Sequence, residues 1–202
     1  GSSGPVAAES SGGDEEMIYH NQRQKPSVPG VQNWAQCFYC SVVMLIEHYV
    51  GGDLYATYFD DVEVLYGQKG IGEESMKKNN LSLVAKDGSR VRSGQFWAVH
   101  CDAANKYLAP KKAVWNEITW DAFRARLLKG PCVLGTKIPP SDGHIIVVLG
   151  YDGQNYICND PYGNGKTGYK DANGGELVKY DGRWLESVAS FNGKARAMWV
   201  EG

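Results

Sequence analysis

Gln36-Cys37-Phe-Tyr-Cys-Ser-Val-Val-Met-Leu-Ile-Glu-His-Tyr49, closed soon after by Gly51-Gly52, is the stretch that decides the architecture. Its apolar residues are almost continuous. By content it could be a strand, but the run is too long for one, and a buried central helix fits better. Upstream, Met17–Arg23 reads as a short strand, and Lys25-Pro-Ser-Val-Pro-Gly30 as a loop fixed by its prolines. Downstream, Leu54–Tyr66 and Glu73–Asn79 are weaker helix candidates and Gly94–Leu108 a better one. Thr119 or Asp121 can cap a helix running to Leu128, where Gly130-Pro131 stops it. Beyond that the period changes. Cys132–Ile138, His144–Tyr151, Asn155–Asn159 and Ala197–Val200 read as strands, with Asp152-Gly153 turning a hairpin. Helices in the front half and strands in the back half predict an α+β fold: a central helix packed on a C-terminal antiparallel sheet.

The chain has 202 residues, enough for one domain with a real core. Its formal net charge of -2 argues against a nucleic-acid or anionic-membrane binder, which needs a basic face. No apolar run is long enough for a membrane span, and no signal peptide opens the chain. The 25 glycines point to a turn-rich fold. Residues 1–16 are Gly, Ser, Ala and acid, and read as a flexible linker or tag remnant before a domain over 17–202. The chain is thus expected to be one piece of a longer, multi-domain or virion protein. Five cysteines are an odd number in a chain that needs no disulfides, so one special thiol is worth seeking.

Cys37 opens the central helix. A thiol there faces unpaired backbone N–H groups and the positive end of the dipole, which favour thiolate. A base must take the thiol proton and return it to a leaving amine, and a third group must orient that base. His144, at the start of an apolar strand, is the best base. Asp160 follows across the Asp152-Gly153 hairpin, which can bring the two together. This is the layout of a papain-like thiol hydrolase.

The motifs extend the likeness. Cys37-Phe-Tyr-Cys-Ser41-Val-Val-Met44 resembles the Cys-x-x-x-Ser-x-x-Met helix start of the bacteriocin-processing-type, double-glycine peptidase-like cysteine peptidases. Gly143–Asp152 is similar to their histidine strand, and Asn159–Gly163 to their Asp-Pro segment. Tyr19–Arg23 and Gly174–Tyr180 resemble elements of the phage and bacterial cell-wall lysin branch. The resemblance implies Cys37 as nucleophile, His144 as acid/base, Asp160 as orienter and Gln22 as oxyanion donor with the Cys37 N–H. Gln32 and Gln36 are rivals for the donor role. Many members carry Gly-Pro after the nucleophile where this chain has Phe38-Tyr39, and Cys40 stands where a small residue is usual.

Plainer readings stand beside these. Cysteines are usually buried, so Cys40, Cys101, Cys132 and Cys158 are assigned to the core. Asp160 before Pro161 also makes a turn. Cys37-x-x-Cys40 fits a redox motif, but the preceding Val-Gln-Asn-Trp-Ala-Gln is poor strand material. Gly163–Gly168 has dinucleotide-loop spacing without a following helix, and is read as a mobile loop beside the site. The histidines show no metal-ligand spacing, so no metal or other cofactor is expected. Trp34, Tyr39 and Tyr162 are candidates to line a cleft. The expected activity is cleavage of peptide bonds, with peptidoglycan stem or cross-bridge peptides as substrate, by a lysin carried on a virion or released onto the wall. The alternatives are an inactive binding module, a leader-peptide protease and an acyl transferase using the same triad.

Overall fold

The computed structural model describes residues 17–28, 31–63 and 71–202. The segment read as a linker, residues 1–16, lies outside them, as does the end expected for the Leu54–Tyr66 helix. The long apolar run is helix α1, Cys37–Val50, with every residue from Phe38 to Glu47 buried. A helix apolar all round must be covered all round. Gly51, at φ 72°, ends it. Helices α2 (Tyr55–Val62), α3 (Ile71–Lys78) and α4 (Trp97–Leu108) follow.

Strands β1 (Lys112–Ile118), β2 (Cys132–Thr136), β3 (His144–Tyr151), β4 (Asn155–Asn159), β5 (Val178–Asp181), β6 (Ser190–Phe191) and β7 (Lys194–Glu201) form one antiparallel sheet. Its order is β1-β7-β2-β3-β4-β5, with β6 folded back on β7. Helix α5 (Trp120–Leu127) precedes β2 and α6 (Gly182–Ala189) precedes β6. Alternate strand residues feed two cores. Val133, Val147 and Met198 join α1, α2 and α4. Leu134, Ile146, Val148 and Ala197 join α5 and α6. This is the α+β architecture read from the sequence, and it is consistent with a papain-like peptidase. No described helix is long and apolar enough to cross a membrane.

Several elements differ from expectation. Met17–Arg23 is not a strand: its end is a 3-10 turn, Gln22–Gln24, begun by the Asn21 side chain accepting from Arg23 N–H. The segment is held by single bonds, such as Gln22 N–H to Pro161 O at 2.9 Å, and not by a ladder. Helix α4 starts three residues late because Ser93–Gln95 forms a 3-10 turn. Thr119, not Asp121, caps α5. The sequence reading omitted β1, β5, α6 and β6.

Candidate active site

The first turn of α1 carries no side-chain cap, since Gln36 at the N-cap makes no such bond. Its N–H groups are left for whatever meets Cys37. One turn along, the buried Ser41 hydroxyl donates to Ile145 O at 3.1 Å. The helix is thereby fixed to β3 one residue past His144. Cys37 and His144 line one cleft, and the thiol is among the groups that raise the imidazole pKa.

The hairpin brings His144 and Asp160 together, though not face to face. Val147 pairs with Asn159, so Asp160 lies level with Ile146 and diagonal to His144. Diagonal neighbours remain within reach of long side chains. His144 donates its Nε2–H to Asp160 Oδ1 at 2.7 Å. Burial alone would lower the imidazole pKa. The charge and hydrogen bond of Asp160, then those of Cys37, more than offset this and hold it up at about 10.

Asp160 is fully buried, and both oxygens are saturated. Oδ1 also accepts from Tyr162 N–H at 3.0 Å. Oδ2 accepts from the hydroxyls of Tyr180 at 2.6 Å and Tyr169 at 3.0 Å. Its backbone is held as firmly: Asp160 N–H donates to Gly175 O at 2.8 Å and Asp160 O accepts from the Tyr19 hydroxyl at 2.5 Å. A Cβ on Gly175 would lie 2.1 Å from Asp160 O, so only glycine fits there. The 163–168 segment is part of this support and not the loose loop expected. Gly165 N–H donates to the Tyr180 hydroxyl at 2.8 Å, and Tyr169 sits at φ 64°.

The family model described as the Peptidase_C39 like family matches residues 15–190. The chain belongs to this family. No curated protein matches it. Membership points to cysteine peptidase activity.

Its remaining sequence candidates have different surroundings. Gln22 is fully buried, its amide N–H groups donating to Asn33 O and Trp34 O at 3.1 and 3.0 Å, its Oε1 unpartnered. Gln36 is committed to Pro26 O, Val31 O and the Tyr55 hydroxyl. Gln32 is exposed. Cys40 is fully buried, which pushes its thiol up to about 12 and makes it inert. All five cysteines are free. Phe38 stacks on His100 at 3.9 Å and forms cleft floor, whereas Tyr39 turns into the core and donates to Glu63. Trp34 is two-thirds exposed at the cleft rim.

His20, Glu47 and Asp53 bring ligand-type atoms within 4.8 Å of one another. The Lys25 ammonium lies 2.8 Å from His20 Nδ1 and places a positive charge against that group, while His20 Nε2–H donates to Glu47, so the cluster reads as a hydrogen-bonded strut holding the Gln22 segment on α1. The sequence reading missed Tyr169 as a support of the carboxylate, and Tyr19, which holds the Asp160 main-chain oxygen, entered only through the family likeness. Tyr180 entered only through the family likeness.

Proposed function

We propose that Cys37, His144 and Asp160 form a catalytic triad that hydrolyses peptide bonds, with peptidoglycan stem or cross-bridge peptides as substrate. One observation carries the triad. Cys37 is the one cysteine of five that is not buried, and it meets an imidazole bonded to a carboxylate with four donors. Such a device serves no packing purpose.

In this mechanism His144 holds the thiol proton and Cys37 attacks the amide carbonyl as thiolate. The tetrahedral oxyanion forms beside the Cys37 N–H, and Gln22 turns one amide N–H onto it. His144 then protonates the leaving amine. Water, deprotonated by His144, releases the acyl group from Cys37. The lysin reading rests on the two segments that resemble that branch. Tyr19–Arg23 and Gly174–Tyr180 both converge on Asp160, through the Tyr19 hydroxyl, Gly175 O and the Tyr180 hydroxyl. Digestion of purified cell walls, with mass spectrometry of the released fragments, tests the assignment. Wild-type protein is expected to release peptides that Cys37→Ala does not; identical fragments from both would remove Cys37 from the reaction.

A further inference from the structure

We propose that the acyl side of the cleft selects a substrate residue bearing a carboxylate. This rests on the reading of Cys37 as nucleophile. Two cavities meet at His144 and Trp34. The acyl group stays bonded to Cys37, so the cavity of about 550 Å³ that contains Cys37 takes the acyl side. The cavity of about 270 Å³ has His144 but not Cys37, and takes the leaving amine.

The two differ in charge. Apart from His144, the smaller is lined by Trp34, Pro140, Ser141, Gly143, Tyr162 and Tyr169, none of them charged. The larger carries Arg92 on its helical wall and Arg196 on its sheet wall. Each is held in place. Glu117 Oε1 accepts from Arg196 Nε and Nη2 at 3.0 and 2.7 Å, while Nη1 has no bond among the described residues. Arg92 donates to Ala35 O at 3.3 Å and lies 3.7 Å from Glu63, whose side chain is wholly buried behind it. Phe191, on the same wall, has Arg196 4.0 Å and the Lys137 ammonium 4.6 Å from its ring centroid. Lys137 is exposed and makes no ion pair among the described residues. The one acid lining this cavity, Asp142, is exposed on the loop before His144. Guanidinium groups fixed in advance suit a carboxylate, and charge complementarity of this kind serves selection more than affinity.

The test uses four peptidyl chloromethyl ketones: acetyl-Ala-Glu, acetyl-Ala-Gln, acetyl-Glu-Ala and acetyl-Gln-Ala. The Cys37 sulfur bonds to the methylene carbon and chloride departs, so the adduct on the Cys37 peptide gives the rate by mass spectrometry. At one of the two positions the Glu reagent is expected to label about tenfold faster than its Gln twin, equivalent to ~1.4 kcal/mol. Arg196→Met and Arg92→Met should cut that ratio to about threefold or less, and Arg196→Lys, which keeps the charge but loses the planar fork, should cut it in part. Lys137→Met, which breaks no ion pair, should lower it too and guards against misfolding of the arginine variants. Equal Glu and Gln rates at both positions, or a ratio indifferent to all three methionine variants, would overturn the proposal. Failure of all four reagents to label Cys37 would instead overturn the nucleophile assignment beneath it.

Discussion

Asp160→Asn changes the charge of the site while keeping its shape. His144 Nε2–H and Tyr162 N–H both point at Oδ1, so that atom must remain oxygen. The amide nitrogen then replaces Oδ2, where it meets two tyrosine hydroxyls that can rotate to accept. The variant should fold. What it loses is the carboxylate charge that outweighs the burial of His144 and holds its pKa at about 10. Without it, the imidazole falls to its ordinary value of about 6.5 or below. If imidazolium is needed to protonate the leaving amine, the loss in rate must grow with pH. The protonated fractions for pKa values of about 10 and 6.5 differ by less than about twofold at pH 6, about 30-fold at pH 8 and about 300-fold at pH 9. The assay is cell-wall digestion across that range, with NMR titration of His144 as a readout independent of substrate. Stability follows the same linkage. A folded pKa raised above the unfolded one contributes fully below about 6.5 and is lost as pH rises through about 10. The wild-type melting temperature should therefore decline over that window and the decline should shrink in Asp160→Asn. Parallel pH–rate profiles for the two proteins would refute the reasoning.

Tyr180→Phe removes the 2.6 Å bond to Asp160 Oδ2 and orphans the buried Gly165 N–H. The cost is about 3 kcal/mol, read in thermal melts as a fall of ~6–12 °C; an unchanged Tm would show that Tyr180 is not a strut. Gly175→Ala places a Cβ 2.1 Å from Asp160 O and 2.3 Å from the Tyr19 hydroxyl, whereas a Cβ on Gly150 meets nothing within 4 Å. Wall-digesting activity should collapse in the first and persist in Gly150→Ala, and equal activities would count against the close approach. Gln22→Ala should lower kcat by roughly 10²–10³ with KM little changed. A fall below about tenfold would leave the backbone N–H as the oxyanion's principal donor.

The fold was legible where pattern and solvent agree. The α1 run is buried on every side, and the Asp152-Gly153 turn with its flanking strands dictates the hairpin that sets Asp160 near His144. Strand β1 was not legible because its burial lacks a clean alternation, with only Ala113 fully buried between exposed and half-buried neighbours. Strand β5 has four residues and β6 two, too few for a period to register. Helix α6 is capped by the Asp181 side chain accepting from Trp184 N–H, a signal that was present and overlooked. The site divides in the same way. Cys37, His144 and Asp160 stand at element ends, where chemistry shows through sequence. Tyr19 and Tyr169 act on Asp160 through contacts that neither spacing nor composition encodes.

Those contacts also determine when the site can exist. Cys37 stands on a helix of one core, His144 at the start of a strand between the two cores, and Asp160 just past the end of β4. The Ser41 bond to Ile145 O joins the parts across 104 positions of sequence. Asp160 is tied to Tyr19 across 141 positions and to Tyr180 across 20. A buried carboxylate without its donors is costly, by several kcal/mol. Beyond His144 and Tyr162, the donors to the Asp160 carboxylate are Tyr169 and Tyr180, so its burial is not compensated until the 163–168 turn and β5 have docked; the Tyr19 hydroxyl fixes the Asp160 main-chain oxygen instead. Completion of the carboxylate's donor set is thus coupled to docking of β5, and local fraying of β5 would strip Oδ2 of its Tyr180 bond before the cores themselves give way.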